Sequence, residues 1–151
     1  RAASHPLQAE ITNPVIEKVL DIIDRQFTDP ITNEGLSRAV GLSTSRLMHL
    51  FTQHMGLGIK QYILHLRILK AREMLTAEPG LKVESVAQTM GFRHVADFNR
   101  AFKTLNRMTP SEYRTSFAPF DRMSQTSVVS SRCPALAPHL SRLERRHPRT
   151  L

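Results

Sequence analysis

The chain has 151 residues, enough for one core or for two small helical subdomains sharing a connecting helix. Its single cysteine, Cys133, excludes an internal disulfide and a cysteine-rich zinc site and fits a reducing cytoplasm; no apolar run approaches the roughly 18 residues of a membrane span. The formal charge of +8 favours a polyanionic partner, and the excess is local: residues 1–34 hold three Lys/Arg against six Asp/Glu, 35–117 twelve against five, and 118–151 six against two.

The start, Arg1-Ala2-Ala3-Ser4-His5-Pro6, has neither an initiator Met nor the apolar stretch of a secretory signal. The chain is therefore expected to begin partway through a larger polypeptide, with 1–12 as a linker. The first helix opens at Asn13-Pro14, an N-cap followed by proline at the first helical position, and stops at Asp29-Pro30. Val15, Val19, Leu20, Ile23 and Phe27 recur along it at helical spacing, while Glu17, Asp21 and Asp24 make an acidic outer face, which marks it as scaffold. A short helix from about Thr32 to Val40 ends at Gly41 and needs tertiary packing, because Gly35 inside it costs up to about 1 kcal/mol relative to alanine.

Ser43 is a natural N-cap for a helix over about 43–55, with Leu47, Leu50, Phe51 and Met55 as its apolar stripe and Gly56 as its end. The longest periodic segment runs from about Gly58 to Thr76. It carries Ile59, Tyr62, Ile63, Leu66, Leu69, Met74 and Leu75 as apolar positions and Lys60, Arg67, Lys70 and Arg72 as basic ones. For Arg67, Lys70 and Arg72, phosphate or partner contact and a solvated face both remain open; Tyr62 and Tyr113 read as packing residues. After Pro79-Gly80 a short helix from about Val83 to Met90 meets Gly91, and a longer one over about 93–105 follows, with Val95, Phe98, Ala101 and Phe102 inward. Thr109-Pro110-Ser111-Glu112 spells a capping box that starts a last helix. Beyond Phe117 the sequence turns to Pro, Ser and Arg, and 118–151 is expected to be a mostly disordered basic tail.

Two segments fifty residues apart share one layout: Leu36-Ser37 then Val40-Gly41-Leu42, and Val86-Ala87 then Met90-Gly91-Phe92. Ser37 and Ala87 lie four residues before the glycine, where a larger side chain would stop two helices crossing steeply. The glycine supplies the left-handed conformation of a sharp turn. Each copy is a helix-turn-helix, and the second helix of such a unit fits the major groove of duplex DNA. A linking helix of about nineteen residues spans roughly 28 Å, comparable to the ~34 Å between successive major-groove faces, so one chain could read two adjacent grooves without dimerising.

With Val40-Gly41-Leu42-Ser43, Leu47 with Leu50-Phe51, Gly56, Tyr62-Ile63, Arg67-Ile68 with Ala71-Arg72 and Leu75, Gly91-Phe92, Phe98 with Phe102-Lys103, and above all Thr109-Pro110-Ser111-Glu112-Tyr113-Arg114, residues 13–117 resemble the DNA-binding domain of the AraC/XylS family of bacterial transcription regulators. The resemblance implies an all-α fold of seven helices, two helix-turn-helix subdomains joined by a long linking helix, which is the count read above. It further implies a sequence-specific regulator, expected to be an activator, with double-stranded promoter DNA as partner, RNA polymerase as a candidate second partner, and any effector domain upstream of Arg1. Position by position, Ser45, Arg46, Met48 and His49 would face bases in the first groove. Arg93, Ala96, Asp97 and Arg100 would do so in the second, with Asn99 and Lys103 nearer the backbone.

Arg100 can pair bidentately with guanine, and Asp97 can accept from cytosine or orient a neighbouring arginine. Where the family often has a strongly polar pair, this chain has Met48-His49, so the first helix is expected to read weakly or through thymine methyls. Where the family has an aromatic residue and glycine before Met108, this chain has Asn106-Arg107, and Asn106 or a different turn is expected to carry the left-handed exit, which arginine tolerates poorly.

No cofactor and no metal are expected, since His49 and His54 lack the i, i+4 spacing of two ligands on one helical face. No nucleophile with base, paired carboxylates or phosphate-cradling glycine loop speaks for an enzyme. The alternative is a helical protein-interaction module with the same scaffold and little DNA affinity.

Overall fold

The computed structural model describes residues 13–117, and all regular structure among them is helical: α1 (Pro14–Gln26), α2 (Asn33–Val40), α3 (Thr44–Met55), α4 (Ile59–Ala77), α5 (Val83–Thr89), α6 (Val95–Asn106) and α7 (Pro110–Ser116). The chain divides into two units between Ile63 and Leu64, within α4. The tail expected at 118–151, the linker at 1–12 and Cys133 lie outside the described residues.

In the first unit the helices start where short polar side chains can accept from unpaired backbone N–H groups. Asn13 accepts from Val15 N at 3.0 Å, Thr32 from Gly35 N at 3.1 Å and Ser43 from Arg46 N at 3.3 Å. Gly35 also has a steric reason: a Cβ there would stand 3.1 Å from the capping hydroxyl of Thr32. Ile16, Val19, Leu20 and Ile23 of α1 are buried, as are Leu36 of α2 and Leu47, Phe51 and Met55 of α3. Ile16 joins this core while Val15 and Phe27 are only half-buried, a shift of the inward stripe by one residue. The Phe51 and Tyr62 rings meet edge to face with centroids 5.7 Å apart, an arrangement favoured by the aromatic quadrupole.

The second unit has an aromatic spine. Phe92, Phe98, Phe102, Tyr113 and Phe117 follow one another with centroid separations of 5.2, 5.7, 5.5 and 4.7 Å. Tyr62 and Tyr113 are both almost fully buried, as packing residues are. Along α4 the buried set is Ile59, Tyr62, Ile63, Leu66, Ile68, Ala71, Arg72 and Leu75, so Ile68 and Ala71 take places expected for Leu69 and Met74. The i, i+3, i+4, i+7 series from Ile59 to Leu66 gives way to a different register at Ile68, Ala71 and Leu75. A single stripe does not describe this helix.

The capping box at α7 is complete: Glu112 N donates to Thr109 Oγ1 at 3.2 Å, and Thr109 N donates to Glu112 Oε2 at 2.7 Å. The Thr109 backbone N–H and then its hydroxyl hold the Glu112 carboxyl below the ordinary glutamate range.

The exit of α6 corrects the expectation for Asn106. Asn106 stays helical and buried, its Nδ2 donating to Phe102 O at 3.1 Å, and Arg107 takes the left-handed conformation with φ 62°. With its amide tied back into the helix, Asn106 cannot turn outward, so the exposed residue after it does. A left-handed non-glycine residue costs about 1–2 kcal/mol, partly offset in glycine by the greater freedom of the unfolded chain. Arg107→Gly is therefore expected to stabilise the protein by about 0.5–1 kcal/mol. Thermal unfolding checks this: the midpoint should rise, and an unchanged or lower midpoint would count against strain at this residue.

Candidate nucleic-acid interface

The two turns that precede α3 and α6 have the same geometry. Gly41 sits at φ 72° and Gly91 at φ 84°. Leu42 N donates to Ser37 O at 3.0 Å, and Phe92 N donates to Ala87 O at 3.0 Å; Gly41 N donates to Arg38 O at 3.3 Å, and Gly91 N to Gln88 O at 3.0 Å. These paired bonds close a helix at a left-handed residue and redirect the chain sharply. Ser37 and Ala87 are buried at the crossings, as their size requires.

What holds each turn differs. In the first unit the Ser37 hydroxyl donates to Glu34 O at 3.0 Å and lies 3.3 Å from the Thr44 hydroxyl, joining α2 to the start of α3. In the second, Arg67 Nη1 donates to Gly91 O at 3.2 Å, and its guanidinium lies 5.8 Å from the Phe92 ring centroid. The Arg114 guanidinium similarly donates to Leu81 O in the loop before α5. Arg72 is buried, with Nε donating to Tyr113 Oη at 3.0 Å and its guanidinium over the Tyr113 ring. Lys70 pairs with Glu73 at 3.2 Å. Of the three basic side chains left open between phosphate or partner contact and a solvated face, Arg72 is buried and Arg67 half-buried, and both bind the protein.

The outer faces of α3 and α6 carry the candidate reading residues. Ser45, Arg46, Met48 and His49 are all exposed, opposite buried Leu47, Phe51 and Met55. Ser45, Met48 and His49 share one face at i, i+3 and i+4, with Arg46 beside it. On α6, Ala96, Asp97, Asn99, Arg100 and Lys103 are exposed opposite buried Phe98 and Phe102. Arg100 Nη1 lies 3.8 Å from Asp97 Oδ1, an exposed pair one turn apart. Arg93 is exposed but stands before α6, which starts two residues later than expected, at Val95. Phe92 packs on Phe98 and, with no Ser, Thr, Asp or Asn at 93 or 94, the helix begins behind His94 without a side-chain cap.

One residue near this face was missed by sequence reasoning. Asn33, at the start of α2, donates from Nδ2 to Met48 Sδ at 3.6 Å. Fifteen positions separate the two, so no local pattern announces the contact.

Two equivalent turns, each followed by a helix with a buried apolar side and an exposed polar one, define a tandem helix-turn-helix domain. A helix-turn-helix domain family matches residues 36–116. The lactose operon transcription activator of Staphylococcus xylosus is 26% identical over 112 residues, covering 74% of this chain and 40% of that protein. The solved C-terminal domain of the response regulator yesN from Fusobacterium nucleatum is 31% identical with a TM-score of 0.63, covering 68% of this chain and 99% of that one. The DNA-binding domain of the global transcriptional factor AdpA, solved with a target DNA, shares the fold at 20% identity and a TM-score of 0.65, covering 70% and 94%. This chain belongs to the AraC-type helix-turn-helix family of DNA-binding transcription regulators. It spans about two fifths of the length of some curated relatives it matches, the Staphylococcus xylosus activator among them, and 15% of others. Among the described residues no helix is long and apolar enough to cross a membrane.

Proposed function

We propose that residues 13–117 are the promoter-reading domain of a cytoplasmic transcription activator, and that α3 and α6 enter two successive major grooves of one duplex. The duplicated turn carries this reading: Gly41 and Gly91 hold the same conformation with the same hydrogen bonds, and each delivers a helix whose exposed side is polar. The nineteen residues of α4 give a helix about 28 Å long, which suits the groove repeat of ~34 Å. In this reading Ser45, Arg46, Met48 and His49 face the first groove, Ala96, Asp97 and Arg100, with Arg93 just before the helix, face the second, and Asn99 and Lys103 lie toward phosphates. The name of the Staphylococcus xylosus relative supports activation, which would bring RNA polymerase in as second partner.

Titration of duplex DNA over a range of salt tests the reading. The affinity should fall linearly on logarithmic axes with a slope of about −0.9 per phosphate neutralised, and inserting about five base pairs between the two contacted segments should abolish joint reading. Negligible affinity for every duplex at low salt would sink the proposal and leave a protein-interaction module. Indifference to the insertion would overturn the two-groove geometry alone.

A further inference from the structure

Met48 is the one large apolar side chain left exposed among the described residues, at 46%. It stands in the middle of the outer face of α3, with Ser45 and His49 beside it. An exposed methionine is ordinarily free to sample many rotamers, which makes it a poor specificity element. Here the Asn33 amide donates to the thioether sulfur at 3.6 Å, tying the side chain to the neighbouring helix without covering it. Part of the ordering loss is therefore met before any ligand arrives, and the terminal methyl is presented in a restricted set of positions.

In the major groove the apolar feature offered by the bases is the C5 methyl of thymine; the remaining base-edge groups are hydrogen-bond donors and acceptors, for which a thioether, at best a weak acceptor and here already engaged by the Asn33 amide, is a poor partner. We infer that Met48 is a specificity-determining residue that reads a thymine methyl group in the first groove, with Asn33 as its positioning residue. This rests on the DNA reading of α3 proposed above and names the base it prefers.

Uracil differs from thymine only by lacking this methyl, so it isolates the contact without altering pairing. The 151-residue chain is first given a duplex selected from random sequence, and thymines in that duplex are then replaced by uracil one at a time. Burying one methyl group corresponds to about fourfold in affinity, so one position should weaken by about that factor. Met48→Gln should bind the thymine and uracil duplexes equally at that position, while Met48→Leu should keep the preference. Met48 is exposed, so these variants are expected to fold, and their unfolding midpoints check it.

If the wild-type protein binds duplex DNA but no uracil replacement weakens it, the assignment of Met48 is overturned while the DNA reading stands. If the uracil effect persists in Met48→Gln, another residue reads the methyl and the assignment again fails. If no duplex binds at all, the failure belongs to the functional reading itself.

Discussion

Arg100→Ala is expected to cost about 1 to 3 kcal/mol of DNA binding and to relax specificity at one base pair, as loss of a bidentate contact to guanine does. Arg100 is suited to that contact because nothing in the fold depends on it. Its side chain is 78% exposed, and its partner Asp97 is 55% exposed at 3.8 Å. Such a surface pair contributes little to stability, about 0–1 kcal/mol, so the unfolding midpoint should hardly move. On the proposed reading Asp97 either orients this guanidinium or itself accepts from cytosine. Lys103→Ala, one turn further along α6, should weaken every sequence alike and reduce the salt slope by about 1, because an ammonium meets phosphate as a point charge. Binding measured on a selected site and on its single-base variants separates the two. Equal losses at every site in Arg100→Ala would refute a base-reading role.

Phe102→Ala, two residues away on the same helix, should do the reverse and remove about 3–5 kcal/mol of folding stability. Phe102 is fully buried and stands between Phe98 and Tyr113 in the aromatic spine, its ring 5.7 Å from one and 5.5 Å from the other. Truncation leaves a cavity and breaks two aromatic contacts together. Against a total stability of about 5–15 kcal/mol for a small domain, this is a large share. Urea unfolding provides the check, and a loss below about 1 kcal/mol would mean that the neighbouring rings close over the gap.

The contrast between these neighbours explains what could be read from the sequence. Helix starts were legible because Asn13, Ser43 and Thr109 combine a capping side chain with proline or periodicity directly downstream, and these are local chemistry. The turns were legible because glycine is the cheap solution for the left-handed conformation, twice at the same spacing from a small residue. Side-chain destinations over long separations were not. Arg67, Arg72 and Arg114 stand in the motifs that carry the resemblance, yet nothing local announces that their guanidinium groups reach Gly91 O, Tyr113 Oη and Leu81 O, 24, 41 and 33 residues away. Long aliphatic stems let such side chains lie along apolar surface and place their charge on a carbonyl or hydroxyl. The left-handed Arg107 was missed for a related reason: the propensity of asparagine for that conformation yields to burial and the bond of Asn106 to Phe102 O. The polar, exposed character of the reading faces was legible from helical period, while Asn33 beside Met48 was not.

The outward sides of α3 and α6 are nearly uncoupled from the residues that hold the helices in place. Changes at Ser45, Arg46, His49, Ala96 or Asn99 should then leave folding within about 0.5 kcal/mol, the usual range for surface substitutions. If these positions read bases as proposed, a duplicated copy of this protein would exchange one preferred operator for another by single steps, with no foldless intermediate on the way. Its freedom to diverge lies in those few positions, while Gly41, Gly91 and the spine tolerate little drift.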